Sequence, residues 1–391
     1  MATGQTLVIR GGAAVMPAGI IEESVIVVSD GRIEAVGPAA GAEIPPGAAL
    51  LDAAGCSVLP GFIDTHVHGG HGDDVMSADP QAVLRMAKRF CRYGVTGFLP
   101  TTIAAGHEET LSMIRACVEA AQEQRADAAR ILGIHLEGPY INLAKKGAQP
   151  AEGIRNPDLA ECREYLAAGR GRVRMMTLAP ELPGAEDLIR LLVDHNVVVS
   201  MGHTAADYDT AERAIRLGAS HATHLFNQMP PLHHRTPNLT AACLVNPSVI
   251  AELITDGVHL RPEIVQIAVR CKGREGVALI TDAIKAQGMP DGEYSLGPYA
   301  VQVAGGRCTL ANGTLAGSVH RMDRALTNTM LFSGLSLEDV SYMASGVPAL
   351  TAGAIARTGS LVPGKDADLV AIRDGEVEWT MVGGEIVCDA E

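Results

Sequence analysis

Histidines and carboxylates recur in this chain at the ends of short apolar runs, and their spacing points to a divalent metal. Asp64-Thr65-His66-Val67-His68 closes one such run. Residues i and i+2 of a strand share a face, so His66 and His68 converge about 7 Å apart at the backbone, close enough to share one cation. By itself the pair is a weak signal, because 13 His in 391 residues yield roughly 0.4 such pairs by chance. Its company gives it weight. His135-Leu136-Glu137, Gly202-His203-Thr204, His221-Ala222-Thr223-His224, Asp256-Gly257-Val258-His259 and Thr281-Asp282 close further runs. Imidazoles with one or two carboxylates suit zinc, and also iron, manganese or cobalt. A ligand set without Cys leaves solvent a coordination position, the catalytic rather than the structural pattern. A bound metal brings the pKa of its water to about 7 and polarises a carbonyl. Asp282 then carries the proton from that water to the leaving group. His135 and His221 read as satisfied histidines behind the site, and His233-His234 as a solvated loop.

These residues need a scaffold that repeats. Strand-like runs are expected at 58–68, 94–101, 130–137, 172–179, 197–203, 219–227, 249–259 and 276–282. Helical stretches at 80–93, 108–124, 185–195, 207–217 and 261–272 lie between them. Eight strand–helix units in about 280 residues predict a closed (β/α)8 barrel, with an open doubly wound sheet as the alternative. The barrel is preferred because the polar residues fall at the C-terminal ends of its strands, where barrel enzymes build their sites. Both chain ends read differently. Around Leu7–Ile9, Ser24–Val28, Arg32–Val36, Asp368–Ile372, Val377–Val382 and Glu385–Val387, Asp-Gly and Gly-Gly pairs punctuate β-branched runs as hairpin signals. The expected organisation is a small β-sandwich from residues 1–57 and 357–391, around a barrel of residues 58–356.

The composition narrows the partners. Apolar residues make up 47%, enough for a full core. The formal net charge of -14 argues against nucleic acid or an anionic membrane as partner. No uncharged stretch reaches the roughly 18 residues a membrane span needs. The first residues, MATGQTLVIRGG, lack a basic segment followed by an apolar one, so no signal peptide is expected. Eight scattered Cys without a C-x-x-C fit free thiols in a reducing cytoplasm.

Gly61-Phe-Ile-Asp-Thr-His66-Val-His68-Gly resembles the first-strand signature of the amidohydrolase superfamily. His135-Leu-Glu137-Gly-Pro-Tyr-Ile-Asn, Gly202-His203-Thr-Ala and Ala222-Thr-His224-Leu-Phe-Asn227-Gln-Met-Pro narrow the likeness. With Leu279-Ile-Thr-Asp282-Ala and Gly313-Thr-Leu315-Ala316-Gly317-Ser, the chain is similar to the N-acetylglucosamine-6-phosphate deacetylase family from about Gly31 to Gly384. The resemblance implies a barrel with a terminal β-sandwich, and hydrolysis of the sugar acetamide to acetate and glucosamine 6-phosphate. It implies a metal on Glu137, His203 and His224, and a second on His66, His68 and Asp282, with Glu137 bridging. Asp282 maps onto the family's proton-transferring aspartate. Asn227, Gln228 and Arg235 map onto its phosphate contacts, and His259 onto its sugar-contacting histidine. Ala148, Gln149, Leu315, Ala316 and Gly317 match substrate-lining positions. The family's arginine reaches the partner subunit's site, which implies a homodimer.

Two departures matter. Some members carry a histidine where this chain has Gln149, and an uncharged amide donates one N–H to a carbonyl without a charge. A metal is then the expected polarising group. The fourth run, Met175-Met-Thr-Leu-Ala-Pro180-Glu, lacks the lysine that bridges two metals in the dihydroorotase and hydantoinase branches, which demotes cyclic amides. N-acetylgalactosamine 6-phosphate is the alternative substrate, a D-aminoacylase-like activity comes third, and a metal-free scaffold barrel is the non-enzymatic alternative. The acidic surface is then compatible with an anionic substrate, because metal ions, Arg235, His233 and His234 create a local positive mouth.

Overall fold

Eight short parallel strands, apolar enough to be buried on both faces, form the centre of the computed structural model, which describes residues 6–389. They are β1 (Phe62–Val67), β2 (Val95–Thr102), β3 (Ile134–Glu137), β4 (Val173–Leu178), β5 (Val198–Met201), β6 (His221–Ala222), β7 (Ile250–Leu253) and β8 (Val277–Leu279). Each pairs in parallel with its successor. The circle closes just past the last strand, where Val67 bridges Ala283 and the Asp282 N–H donates to the His66 carbonyl at 2.9 Å. The outcome is the closed barrel, not the open sheet.

A helix follows every strand. Pro80–Phe90, Tyr208–Arg216 and Leu159–Gly169 start on Asp79, Asp207 and Asp158, whose carboxylates accept from the first free N–H groups. The helices Leu159–Gly169, Leu239–Val245 and Met322–Ser333 lie where the sequence pattern gave no expectation. Apolar faces of strands and helices merge in one core that includes Phe62, Phe98, Leu136, Met176, Val199 and Leu279.

The run 58–68, expected as one strand, is two. Ser57–Pro60 pairs with Leu369–Arg373 in a sheet built from the chain ends, and β1 starts after Gly61. At Gly61 the chain crosses so close to Thr96 that a Cβ would lie 2.2 Å from its Cγ2. The expected sixth, seventh and eighth strands are also much shorter, because the chain turns sharply beyond Ala222, Leu253 and Leu279. Those turns carry the polar residues.

Both ends of the chain build two further sheets. One holds four strands, Thr6–Arg10, Ser24–Ser29, Arg32–Pro38 and Ala49–Asp52. The other holds six, with Ala13–Met16, Gly19–Ile21, Ser57–Pro60, Leu369–Arg373, Glu376–Val382 and Glu385–Asp389. Ile9, Ile26 and Ile33 of the first pack against Val58, Leu369 and Met381 of the second in a separate core. A three-stranded insert after β8, Gly292–Leu296, Tyr299–Ala304 and Arg307–Thr309, was not expected. It packs on Ile103, Ala148, Ile284 and Ala316 and hangs over the C-terminal mouth of the barrel.

Candidate functional site

Six side chains from five strand ends meet at that mouth. His66, His68 and Asp282 form one group and Glu137, His203 and His224 a second, with the ligand atoms of each group within 4.8 Å of one another. All six are buried. Glu137 joins the groups. Its Oε1 lies 3.1 Å from Nε2 of both His203 and His224 and 3.5 Å from Nε2 of His66, while Oε2 is 3.2 Å from Nε2 of His68. Asp282 Oδ1 lies 3.6 Å from His66 Nε2 and 3.2 Å from His68 Nε2.

Local backbone conformation aims these groups. His203, His224 and Asp282 have φ of 48°, 32° and 50°, left-handed values that a non-glycine residue adopts at a cost. The turn below Asp282 needs room. Gly317 has φ 59°, and a Cβ there would meet Ile284 Cγ2 at 2.6 Å and the Asp282 carbonyl at 2.9 Å.

The rings present lone pairs to the centre. Nδ1 of His68 faces the Thr101 carbonyl at 3.1 Å, and Nδ1 of His203 faces the Lys145 carbonyl at 2.8 Å. Nδ1 of His66 faces the Glu252 carboxylate at 3.1 Å. Each Nδ1 therefore carries a proton, and each Nε2 points inward, where it offers a lone pair once any proton on it is displaced. The inward Nε2 atoms of His203 and His224 are 3.1 Å apart, and Nε2 of His66 has no hydrogen-bond partner. Acceptors converging on carboxylates repel unless cationic charge lies among them. Among the described residues no Lys or Arg pairs with Glu137, Glu252 or Asp282. The donor chemistry thus fits divalent metal.

The electrostatics agree. Burial disfavours a charged His68, yet hydrogen bonds and charge from Asp282 and Glu137 win and hold it up at about 9. His66 is likewise raised, against its burial, by Glu137, Asp282 and Glu252. Burial would push Asp282 upward, but His66 and His68 hold it at about 2. The pocket binds positive charge, as protons or as metal. Asp64 behind it is pushed up to about 7 by burial, against hydrogen bonds from Thr281.

A model of the Amidohydrolase family matches residues 57–387. The chain belongs to that family. It is 37% identical over 385 residues to the N-acetylglucosamine-6-phosphate deacetylase of Bacillus subtilis (strain 168), covering 98% of this chain and 97% of the relative. It is also 37% identical over 385 residues to an N-acetylgalactosamine-6-phosphate deacetylase of Escherichia coli O157:H7, covering 97% and 99%. A solved mutant N-acetyl-D-glucosamine-6-phosphate deacetylase from Mycobacterium smegmatis, in complex with N-acetyl-D-glucosamine-6-phosphate, superposes with a TM-score of 0.91 at 33% identity, covering 99% of this chain and 100% of that one. Amidohydrolase membership implies a divalent metal.

In this amidohydrolase five of the six metal-ligand candidates, all but the fully buried His66, line a cavity of about 310 Å³. Ala148, Gln149, Asn227, Gln228, His259, Leu315 and Gly317 line it. Ala316 sits just behind and is fully buried. His259 is held by Asp256, whose Oδ2 lies 2.7 Å from Nδ1 while Oδ1 accepts from the Val258 and His259 N–H groups. Burial opposes a charge on His259, but Asp256 raises it above its ordinary value. Gln149 is oriented by Ala104, whose N–H donates to its Oε1 at 2.8 Å, so its Nε2 donates to Glu137 Oε2 at 2.5 Å. Arg235 stands apart. It lies on an exposed loop beside the stacked His233 and His234 and does not line the cavity of its own chain.

His135 and His221 bond to Thr177 and Thr351 at 2.8 and 2.9 Å, and burial lowers both, His221 to about 3. A larger cleft of about 810 Å³, walled by Met76, Ile103, Met113 and Pro150, holds none of the six. Sequence reasoning passed over Leu296 and Thr314, which line the cavity, and Glu252. Leu296 had a signal: Gly305-Gly306 between β-branched runs marks a hairpin, and both glycines have positive φ. Glu252 had one too, as a lone carboxylate in the apolar strand β7.

Proposed function

We propose that this amidohydrolase removes the acetyl group of N-acetyl-D-glucosamine 6-phosphate, giving D-glucosamine 6-phosphate and acetate. The carrying observation is the six-residue donor set, joined by Glu137, at the floor of a small cavity. His66, His68, Asp282, Glu137, His203 and His224 would hold one or two divalent ions, zinc foremost. A bound ion supplies hydroxide at neutral pH and polarises the amide carbonyl.

The chain's own residues do the rest. Asp282, kept ionised, takes a proton from the attacking water and returns it to the amide nitrogen as the C–N bond breaks. Water's oxygen ends on acetate and its proton on the amine. Gln149 keeps one N–H on Glu137 and fixes that carboxylate at the cavity wall. His259, with Nδ1 committed to Asp256, turns Nε2 to a sugar hydroxyl. Asn227 and Gln228 bind the phosphate, and the chain acts in the cytoplasm as a homodimer in which the partner subunit's Arg235 completes that contact. The exposed Leu232, His233 and His234 beside Arg235 support a docking loop.

Initial rates on N-acetylglucosamine 6-phosphate, its galacto epimer and unphosphorylated N-acetylglucosamine test the reading, alongside metal content. The gluco phosphate is expected to be fastest, with at least one metal per chain. A faster galacto phosphate moves the assignment to that sugar, and turnover without metal overturns the metal role. Arg235→Ala is expected to raise KM for the phosphorylated sugar far more than for the unphosphorylated one. Equal losses remove Arg235 from phosphate binding.

A further inference from the structure

Among the described residues, Glu252 is the one group that touches both halves of the donor set from behind. It sits on β7, fully buried, with its Cα paired to Ala278 of β8. Its Oε2 accepts from His66 Nδ1 at 3.1 Å and from the His224 backbone N–H at 3.3 Å. Its carbonyl also accepts from the Leu225 N–H at 2.9 Å. His66 belongs to the group with His68 and Asp282, and His224 to the group with Glu137 and His203.

The contact differs in kind from those of the neighbouring rings. His68 and His203 give their Nδ1 protons to neutral backbone carbonyls. Of the four histidines in the donor set, only His66 gives its Nδ1 proton to a carboxylate. A carboxylate behind an imidazole fixes the tautomer and raises the donor strength of the inward nitrogen. The second contact holds the His224 amide where the backbone sits in the left-handed region, so it also fixes the turn that aims His224 inward. Glu252 Oε1 has no partner, so both of these bonds fall on one oxygen.

We propose that Glu252 is a positioning residue that ties the two metal half-sites together. It strengthens His66 as a ligand and, through the same oxygen, holds the turn of His224. This rests on the reading of the six residues as metal ligands. Loading of one half-site then favours loading of the other, because each ion orders a ring or turn that the shared carboxylate braces.

The test is titration of chelator-stripped protein with zinc against a chromophoric competitor, for wild type and Glu252→Gln. Gln keeps an acceptor for His66 but removes the charge. Wild type is expected to take up two ions with positive cooperativity. Glu252→Gln is expected to bind the His66/His68/Asp282 ion about 10- to 100-fold more weakly, to lose the cooperativity, and to keep its circular-dichroism spectrum. Two ions bound with unchanged affinity and cooperativity overturn the role of Glu252. No ion bound by wild type overturns the metal reading itself. If the variant does not fold, ¹⁵N-histidine spectra of zinc-loaded wild type decide the matter. His66 must carry its proton on Nδ1 in a strong hydrogen bond, and a proton on Nε2 overturns the proposal.

Discussion

Asp282 is a buried acid that stays ionised. Its neighbours supply the reason, since His66 and His68 outweigh the burial that would otherwise neutralise it. An ionised carboxylate beside the attacking water is what general-base work requires, and Asn has the same shape without the basicity. Asp282→Asn should therefore leave the unfolding midpoint near that of wild type and lower kcat by about 10²–10⁴. Steady-state rates on the sugar phosphate check it, and near-normal turnover removes Asp282 from the role. His68 gives a second handle. Its folded value of about 9 lies above the ordinary imidazole value, so the ring is protonated below that pH. A metal must displace that proton. Zinc affinity should rise by about tenfold per pH unit for each proton displaced, and the rise should flatten above pH 9. Competition titrations from pH 6 to 10 measure the slope, and a flat profile contradicts the assignment of His68 as a ligand.

At the scale of elements, the site is made by the turns that follow the strands. The H-x-H pair, Glu137, His203, His224 and Asp282 were legible because each stands where an apolar run stops. Their grouping was legible because a barrel gathers such ends on one face. The strand ends were not. His203, His224 and Asp282 adopt left-handed backbone, which no apolar pattern reports, so the expected strands ran too long. Glu252 left a fainter trace, a lone carboxylate within an apolar strand and not at its end, and only the closed barrel shows that it backs His66. The insert over the mouth was not legible because the three short strands within Gly292–Thr309 interrupt the last strand–helix unit and do not follow its repeat. Packing below Asp282 gives the element-scale expectation. Gly317→Ala places a methyl 2.6 Å from Ile284 Cγ2 and 2.9 Å from the Asp282 carbonyl, at a φ of 59°. The loss of stability should be about 1–3 kcal/mol. A displacement of about 1 Å at Asp282 is enough to lower kcat about 10²-fold. Thermal unfolding and kcat measured together check this, and wild-type values for both mean that the turn has room to spare.

For the whole molecule, the question is what holds a barrel to sheets made from the far ends of its own chain. One buried carboxylate does much of it. Asp368 stands at the start of the strand Leu369–Arg373, in the sheet built from both chain ends. Arg130, which pairs with Gly97 on the barrel edge, donates to it from Nε and Nη2, both at 3.1 Å. The Gly383 N–H donates to the same carboxylate at 2.8 Å, and the Asp368 carbonyl accepts from Gly61 at 2.9 Å, at the crossing into β1. The Asp368 side chain is only 1% exposed, so water cannot replace a lost partner. Removing the guanidinium leaves a buried negative charge with one N–H for company. Arg130→Met, which keeps the apolar stem, should cost about 3 kcal/mol. None of the six metal-ligand candidates touches either residue, so the loss should appear in the urea midpoint and not in kcat or zinc stoichiometry. An unchanged midpoint means that the apolar contacts between sheets and barrel suffice alone. A fall in zinc content along with stability means that the terminal sheets brace the metal centre through β1, whose crossing at Gly61 hangs on the Asp368 carbonyl.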